Sequence, residues 1–216
     1  MPITSSSRPW TSEAPPAEAA AVRQLLEHLS LGGARLSEAE LDRVVVAVAG
    51  RPDLWEDLVV DDADERWWLV LYRTANFDVR LMAWETEQET EWHDHGGSSG
   101  AQAVCAGSLR EDYRAADHLG TETRILRAGA HGSFGPDHVH DVSHEVGHPA
   151  VSVHAYSPPL TVLTYYEQTA FGFVAKEILP DDRRVGRPAA ETGGRTAGPA
   201  VDEPPPPRLA PADAIL

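Results

Sequence analysis

His93 and His95, separated by Asp94 and followed by the run Gly96-Gly97-Ser98-Ser99-Gly100, set two imidazoles to meet one point in extended chain. Side chains along a strand alternate between faces, so residues two apart share a side while the one between them points away. Imidazole suits iron, zinc, copper and nickel, so the pair speaks for a metal without choosing which. His138 and His140, again two apart, offer a third ligand. His140 is preferred because it heads His140-Asp141-Val142 on an expected strand; His138 shares its face and is the rival. Downstream, Ser152, His154 and Tyr156 fall on one side of an alternating stretch and can form a polar row beside a metal.

The elements that must carry these residues have the period of strands. They fall at 67–73, 77–84, 100–106, 109–113, 123–126, 139–142, 151–156 and 161–166. Short strands punctuated by Gly and Pro suggest a closed or double-sheet antiparallel barrel with its ligand inside. Two helices precede them. Residues 17–31 place Val22, Leu25, Leu26 and Leu29 at helical spacing until Gly32-Gly33 stops the pattern. The second helix starts after Ser37, whose hydroxyl and Glu40 form a capping box, and runs to Ala49 before Gly50 and Pro52. The expected organisation is a flexible start (1–16), one mainly β domain with N-terminal helices (17–179), and a disordered Pro-rich tail (180–216).

A length of 216 residues supports one such domain with tails. The net charge of -16 argues against a nucleic-acid partner, which needs a basic footprint. The N-terminus has neither the basic start nor the apolar run of a signal peptide, and no segment approaches a span of about 20 apolar residues. The expectation is a monomeric cytoplasmic protein, acting on a small molecule and touching no membrane. Cys105 is the only cysteine, which leaves neither an internal disulfide nor a cysteine-built zinc site. In its apolar setting, Ala103-Val104-Cys105-Ala106, it reads as a buried, inert thiol.

These residues lead to the cupins, although the glutamate of the first cupin motif has no counterpart in Gly96-Gly97-Ser98-Ser99. The block Thr90-Glu91-Trp92-His93-Asp94-His95-Gly96-Gly97-Ser98, taken with Pro149-Ala150-Val151-Ser152-Val153-His154-Ala155-Tyr156-Ser157-Pro158-Pro159, closely resembles the cysteine dioxygenase family of thiol dioxygenases. The resemblance spans about residues 67–166. It implies a jelly-roll barrel of the cupin type and a mononuclear Fe(2+) held by His93, His95 and His140. Three neutral ligands leave that ion its full charge, which favours an anionic thiolate over a thiol. The resemblance further implies that Ser152, His154 and Tyr156 are the family's Ser-His-Tyr row, and that an arginine pairs with the substrate carboxylate. Arg73, with Tyr72 on the same wall, is the best match for that clamp, and Arg80 is a lesser candidate. A guanidinium fork can hold a carboxylate bidentately. Animal members join the tyrosine to a cysteine; here Gly100 stands five positions beyond His95, so Tyr156 is expected without the link.

The activity this implies is oxidation of L-cysteine by dioxygen to cysteine sulfinic acid. Dioxygenation of 3-mercaptopropionate or a related thiol needs the same parts. A zinc hydrolase or isomerase, or a cupin that senses a small ligand without catalysis, would use the histidines but leave the Ser-His-Tyr row without a task.

Overall fold

The computed structural model describes residue 14 and residues 16–60, 66–115, 120–145 and 147–180. Most of the expected flexible start, and the tail beyond Pro180, lie outside the described residues. Helices α1 (Pro16–Glu27) and α2 (Glu38–Ala49) come first. The capping box at α2 is formed: Ser37 Oγ accepts from the Glu40 amide at 3.3 Å while the Glu40 carboxylate accepts from the Ser37 amide at 2.9 Å. Among the described residues no helix is long and apolar enough to cross a membrane.

Among the described residues ten strands follow: β1 (Trp68–Arg73), β2 (Asp78–Trp84), β3 (Ser99–Ala106), β4 (Ser108–Arg114), β5 (Thr121–Arg127), β6 (His131–Phe134), β7 (His140–His144), β8 (Ala150–Ser157), β9 (Val162–Thr169) and β10 (Gly172–Pro180). Every pairing is antiparallel. One sheet has the order β1-β2-β8-β3-β6, a second β5-β4-β7, and β9 pairs with β10. Strands β6 and β10 go beyond the eight expected: β6 is only four residues of largely polar chain, and β10 leaves Val174 and Ile178 exposed, so neither shows an apolar alternation.

Alternation gives the five-stranded sheet two unlike faces. Leu69, Leu71, Val79, Leu81, Ala101, Ala103, Val153 and Ala155 face the helices and join Val22, Leu26, Leu41, Val44, Val45 and Val48 in one core. Each large apolar side chain buried there stabilises the fold by about 1.5–3 kcal/mol. The opposite face carries the polar rows set by register: Arg80 beside His154 beside Gln102, and Asp78 beside Tyr156 beside Gly100 beside Phe134. A second apolar cluster, formed by Trp84, Val104, Leu109, Leu126, Val142 and Ala150, joins this face to the three-stranded sheet. The result is a double-sheet antiparallel barrel with helices packed outside it.

Candidate metal centre

The chain between β2 and β3, both in the five-stranded sheet, runs beside β7 of the three-stranded sheet, and there it presents the two histidines. The His93 amide donates to the His140 carbonyl at 2.8 Å and the His140 amide returns a bond to the His93 carbonyl at 3.0 Å. This two-way bridge fixes the first histidine motif against β7. Asp94 points away, accepting from the Gly96 amide at 2.9 Å, from the Tyr166 hydroxyl at 2.7 Å and from the Thr164 amide at 3.3 Å. Gly96 makes the turn with φ +58, and a Cβ there would lie 2.7 Å from the Val162 carbonyl oxygen.

One ligand atom from each of His93, His95 and His140 lies within 4.8 Å of the others, and all three residues are buried. The Nε2 atoms of His95 and His140 are 3.2 Å apart. Metal–nitrogen bonds of about 2.1 Å at tetrahedral to octahedral angles put neighbouring donors about 3.0–3.4 Å apart, so the spacing suits a shared ion. The tautomers agree. His93 donates from Nδ1 to the Glu91 carbonyl at 2.8 Å, with Glu91 itself at φ +64, and His140 donates from Nδ1 to Glu111 at 2.8 Å. Carbonyl and carboxylate oxygens only accept, so both rings keep the Nε2 lone pair for a metal. Burial, followed by the neighbouring imidazoles, holds His93 and His95 neutral far below the usual histidine range. Burial also lowers His140, against the pull of Glu111.

His138, the rival third ligand, turns its Nε2 to Glu111 at 3.0 Å. Glu111, His138 and His140 therefore form a second close group, but Arg124 Nε lies 2.7 Å from the same carboxylate and supplies the positive charge there. Gln102 completes the set at 2.8 Å. Burial alone would raise the Glu111 carboxyl; the bonds from His138, His140 and Arg124 outweigh it and keep the group ionised, well below the usual range.

Beside the histidines, the polar row on β8 gains a fourth member. Trp84 Nε1 donates to Ser152 Oγ at 2.9 Å, and Ser152 Oγ is 2.8 Å from His154 Nε2. The indole can only donate, so Ser152 Oγ is free to give its one proton to His154 Nε2, an arrangement that puts the imidazole proton on Nδ1. His154 Nδ1 faces the Tyr156 hydroxyl at 3.4 Å. Burial lowers His154 to about 3, which keeps it neutral. The cavity between these groups is lined by His93, His140, His154, Tyr156, Arg80 and Arg66, among others, with no carboxylate among the described residues of its wall. Arg80, 2% exposed, is held by Asp78 at 2.8 Å and by the Leu160 carbonyl at 3.1 Å. Arg66 lies over the Trp84 ring at 5.1 Å and donates to the Glu89 carbonyl at 2.9 Å.

The family model for cysteine dioxygenase type I matches residues 11–169. The chain belongs to this family. It is 27% identical to cysteine dioxygenase type 1 of Bos taurus over 154 residues, covering 65% of this chain and 75% of the bovine one. It is 28% identical to the Homo sapiens enzyme over 110 residues, 46% of this chain and 54% of the human one. Among solved structures, a Thermus thermophilus protein aligns at TM-score 0.43 and 17% identity, covering 48% of this chain and 93% of its own.

In this cysteine dioxygenase family member the arginine expected at the cavity is displaced. Arg73 sits at the end of β1, half-exposed, pairing at 2.9 Å with the same Asp78 Oδ2 that holds Arg80. Tyr72 packs on Phe77 at 5.8 Å, and both Tyr72 and Arg73 line a different hollow beside α1. A bulge between Val70 and Tyr72 turns Tyr72 towards the helix-side core opposite Val79. The arginines that reach the histidines are Arg80, the lesser candidate, and Arg66, which the sequence pattern does not single out. Arg80 had a signal, a charge inside the apolar run Val79 to Trp84. Glu111, at the same inward parity as Leu109, had one too. Gly100 stands opposite Tyr156, with no side chain that could be joined to it. Burial pushes the Cys105 thiol up to about 12, which makes it inert at neutral pH.

Proposed function

We propose that this chain uses ferrous iron, held by His93, His95 and His140, to oxidise L-cysteine with dioxygen to cysteine sulfinic acid. The observation that carries the reading is the convergence of three neutral, buried imidazoles, two of which, His93 and His140, line a cavity shared with Arg80, His154 and Tyr156. Iron, when bound, supplies the redox centre through which dioxygen and a thiolate overcome the spin barrier between them. The chain's own residues do the rest. Arg80, rather than Arg73, receives the substrate carboxylate, because its guanidinium is fixed by Asp78 at the cavity wall and so pays little ordering entropy. Tyr156 takes its orientation from His154 and offers its hydroxyl to the reacting sulfur and oxygen, while Ser152 and Trp84 hold His154 in the tautomer that donates to it. Both oxygen atoms finish on sulfur, whose four-electron oxidation matches the reduction of dioxygen, so no further reductant is required.

A second reading keeps this chemistry and changes the substrate. Among the described residues the cavity wall has two arginines and no carboxylate to meet an ammonium group, which favours a thiol acid without an amine, such as 3-mercaptopropionate. Protein loaded anaerobically with iron and given each thiol tests both. Dioxygen uptake with cysteine, matched mole for mole by cysteine sulfinate, supports the first reading; faster turnover of 3-mercaptopropionate supports the second. Tight iron binding with no uptake on any thiol, cysteamine included, rejects both.

A further inference from the structure

The three imidazoles are not held alike. His93 and His140 each donate from Nδ1 to an oxygen, whereas His95 Nδ1 is buried with no hydrogen-bond partner among the described residues. A metal-ligating histidine is ordinarily oriented by the bond its other nitrogen makes, so His95 needs a different device. Two aromatic rings lie against it: Phe134, with centroids 4.9 Å apart and planes at 31°, and Tyr156, at 5.2 Å and 29°. Phe134 also stacks on His138 at 4.6 Å.

Phe134 reaches this place because position 100 is a glycine. The register sets Gly100 opposite Phe134 on β6 and opposite Tyr156 on β8. A Cβ at Gly100 would stand 2.4 Å from Phe134 Cε2 and Cζ and 3.1 Å from Tyr156 Cδ1. The first distance is a clash with the rim of a packed ring, on a side chain that is only 5% exposed.

We propose that Phe134, admitted by the gap at Gly100, is the positioning residue for His95, setting by ring packing the orientation that hydrogen bonds set for His93 and His140. The inference rests on the reading that His95 ligates a metal. It makes His95 the ligand whose placement depends on apolar shape, and it makes Gly100 and Phe134 a coupled pair.

The test is a double-mutant cycle with Phe134→Leu and Gly100→Ala on the full chain, reading cobalt(II) affinity by chelator competition and cobalt coordination by visible absorption. Circular dichroism checks that each metal-free variant is folded. Phe134→Leu, which keeps an apolar side chain but removes the ring, should weaken cobalt binding about 10–100-fold and change the cobalt spectrum. Gly100→Ala should do the same when Phe134 is present and add almost nothing when it is combined with Phe134→Leu, because its effect passes through the ring. Wild-type affinity and spectrum in Phe134→Leu, or independent additive losses, overturn the proposal. If Phe134→Leu does not fold, Gly100→Ala alone decides: weakened cobalt binding in a folded protein supports the coupling and unchanged binding rejects it. Wild-type protein that takes up no cobalt overturns the metal reading and this inference with it, an outcome distinct from the variant results.

Discussion

Glu111 shows how one buried carboxylate governs a ligand it stands behind. It accepts from His138, His140, Gln102 and Arg124, a donor set that makes a wholly buried charge tolerable. Because it only accepts, it holds the His140 proton on Nδ1 and leaves Nε2 for the metal. Glu111→Gln puts an amide there, whose N–H can turn to Nδ1 and move the proton onto Nε2; metal affinity should fall about 10–100-fold in chelator competition. An unchanged affinity would show that the tautomer is set elsewhere. Arg80 calls for a gentler change, since removing it leaves the buried Asp78 only the half-exposed Arg73, and breaking a buried pair costs about 3–5 kcal/mol. Arg80→Lys keeps the charge and loses the fork, so KM for the thiol acid should rise at least about tenfold with iron content unchanged. Arg73→Ala should leave both values as they are, and a raised KM there would return the clamp to Arg73. The histidines could be read from sequence because residues two apart share a face whatever the sheet around them. The arginine could not, because its place depends on which strands pair, on their register, and on a bulge that periodicity does not reveal.

Strands β2 and β8 each serve two environments, apolar towards the helices and polar towards the metal centre. Leu81 and Arg80 are neighbours in sequence and face opposite layers. Leu81→Ala should therefore destabilise the fold by about 2–5 kcal/mol in denaturant titration while metal affinity holds. Loss of affinity in parallel with stability would mean that the two faces are not independent. Helix α2 and the strands up to β4 were legible for the same reason: capping box, glycine stops and apolar alternation all agree there. The weak elements were β6 and β10. Strand β6 is short and polar in its first three residues, yet it delivers Phe134 to His95, and nothing in His131-Gly132-Ser133-Phe134 reveals that pairing with β3 before the sheet is built.

The centre lies between two sheets, so its protonation is a property of the whole fold. Burial holds His154 at about 3, against 6.5 in the unfolded chain, and keeps His93, His95 and His140 neutral as well. A base with a depressed pKa binds its proton more readily when unfolded. Its stabilising effect is thus complete above about pH 6.5 and is lost as pH falls, at about 1.4 kcal/mol per pH unit for His154. The ionised Glu111 adds a loss of the same sign below the ordinary carboxylate range. Acid also discharges a surface whose formal net charge is -16, and relief of that repulsion acts in the opposite direction. The histidines should win: by pH 5 His154 alone has lost about 2 kcal/mol, and His93, His95 and His140 act in the same direction. Metal-free protein should therefore melt at steadily lower temperature from pH 7 to pH 5, as followed by circular dichroism. His154→Gln, which removes one titrating group, should flatten the dependence by about 1.4 kcal/mol per pH unit. Stability that stays level from pH 7 to pH 5 would mean that these imidazoles are protonated inside the fold, and a protonated cluster has no lone pairs to give a metal.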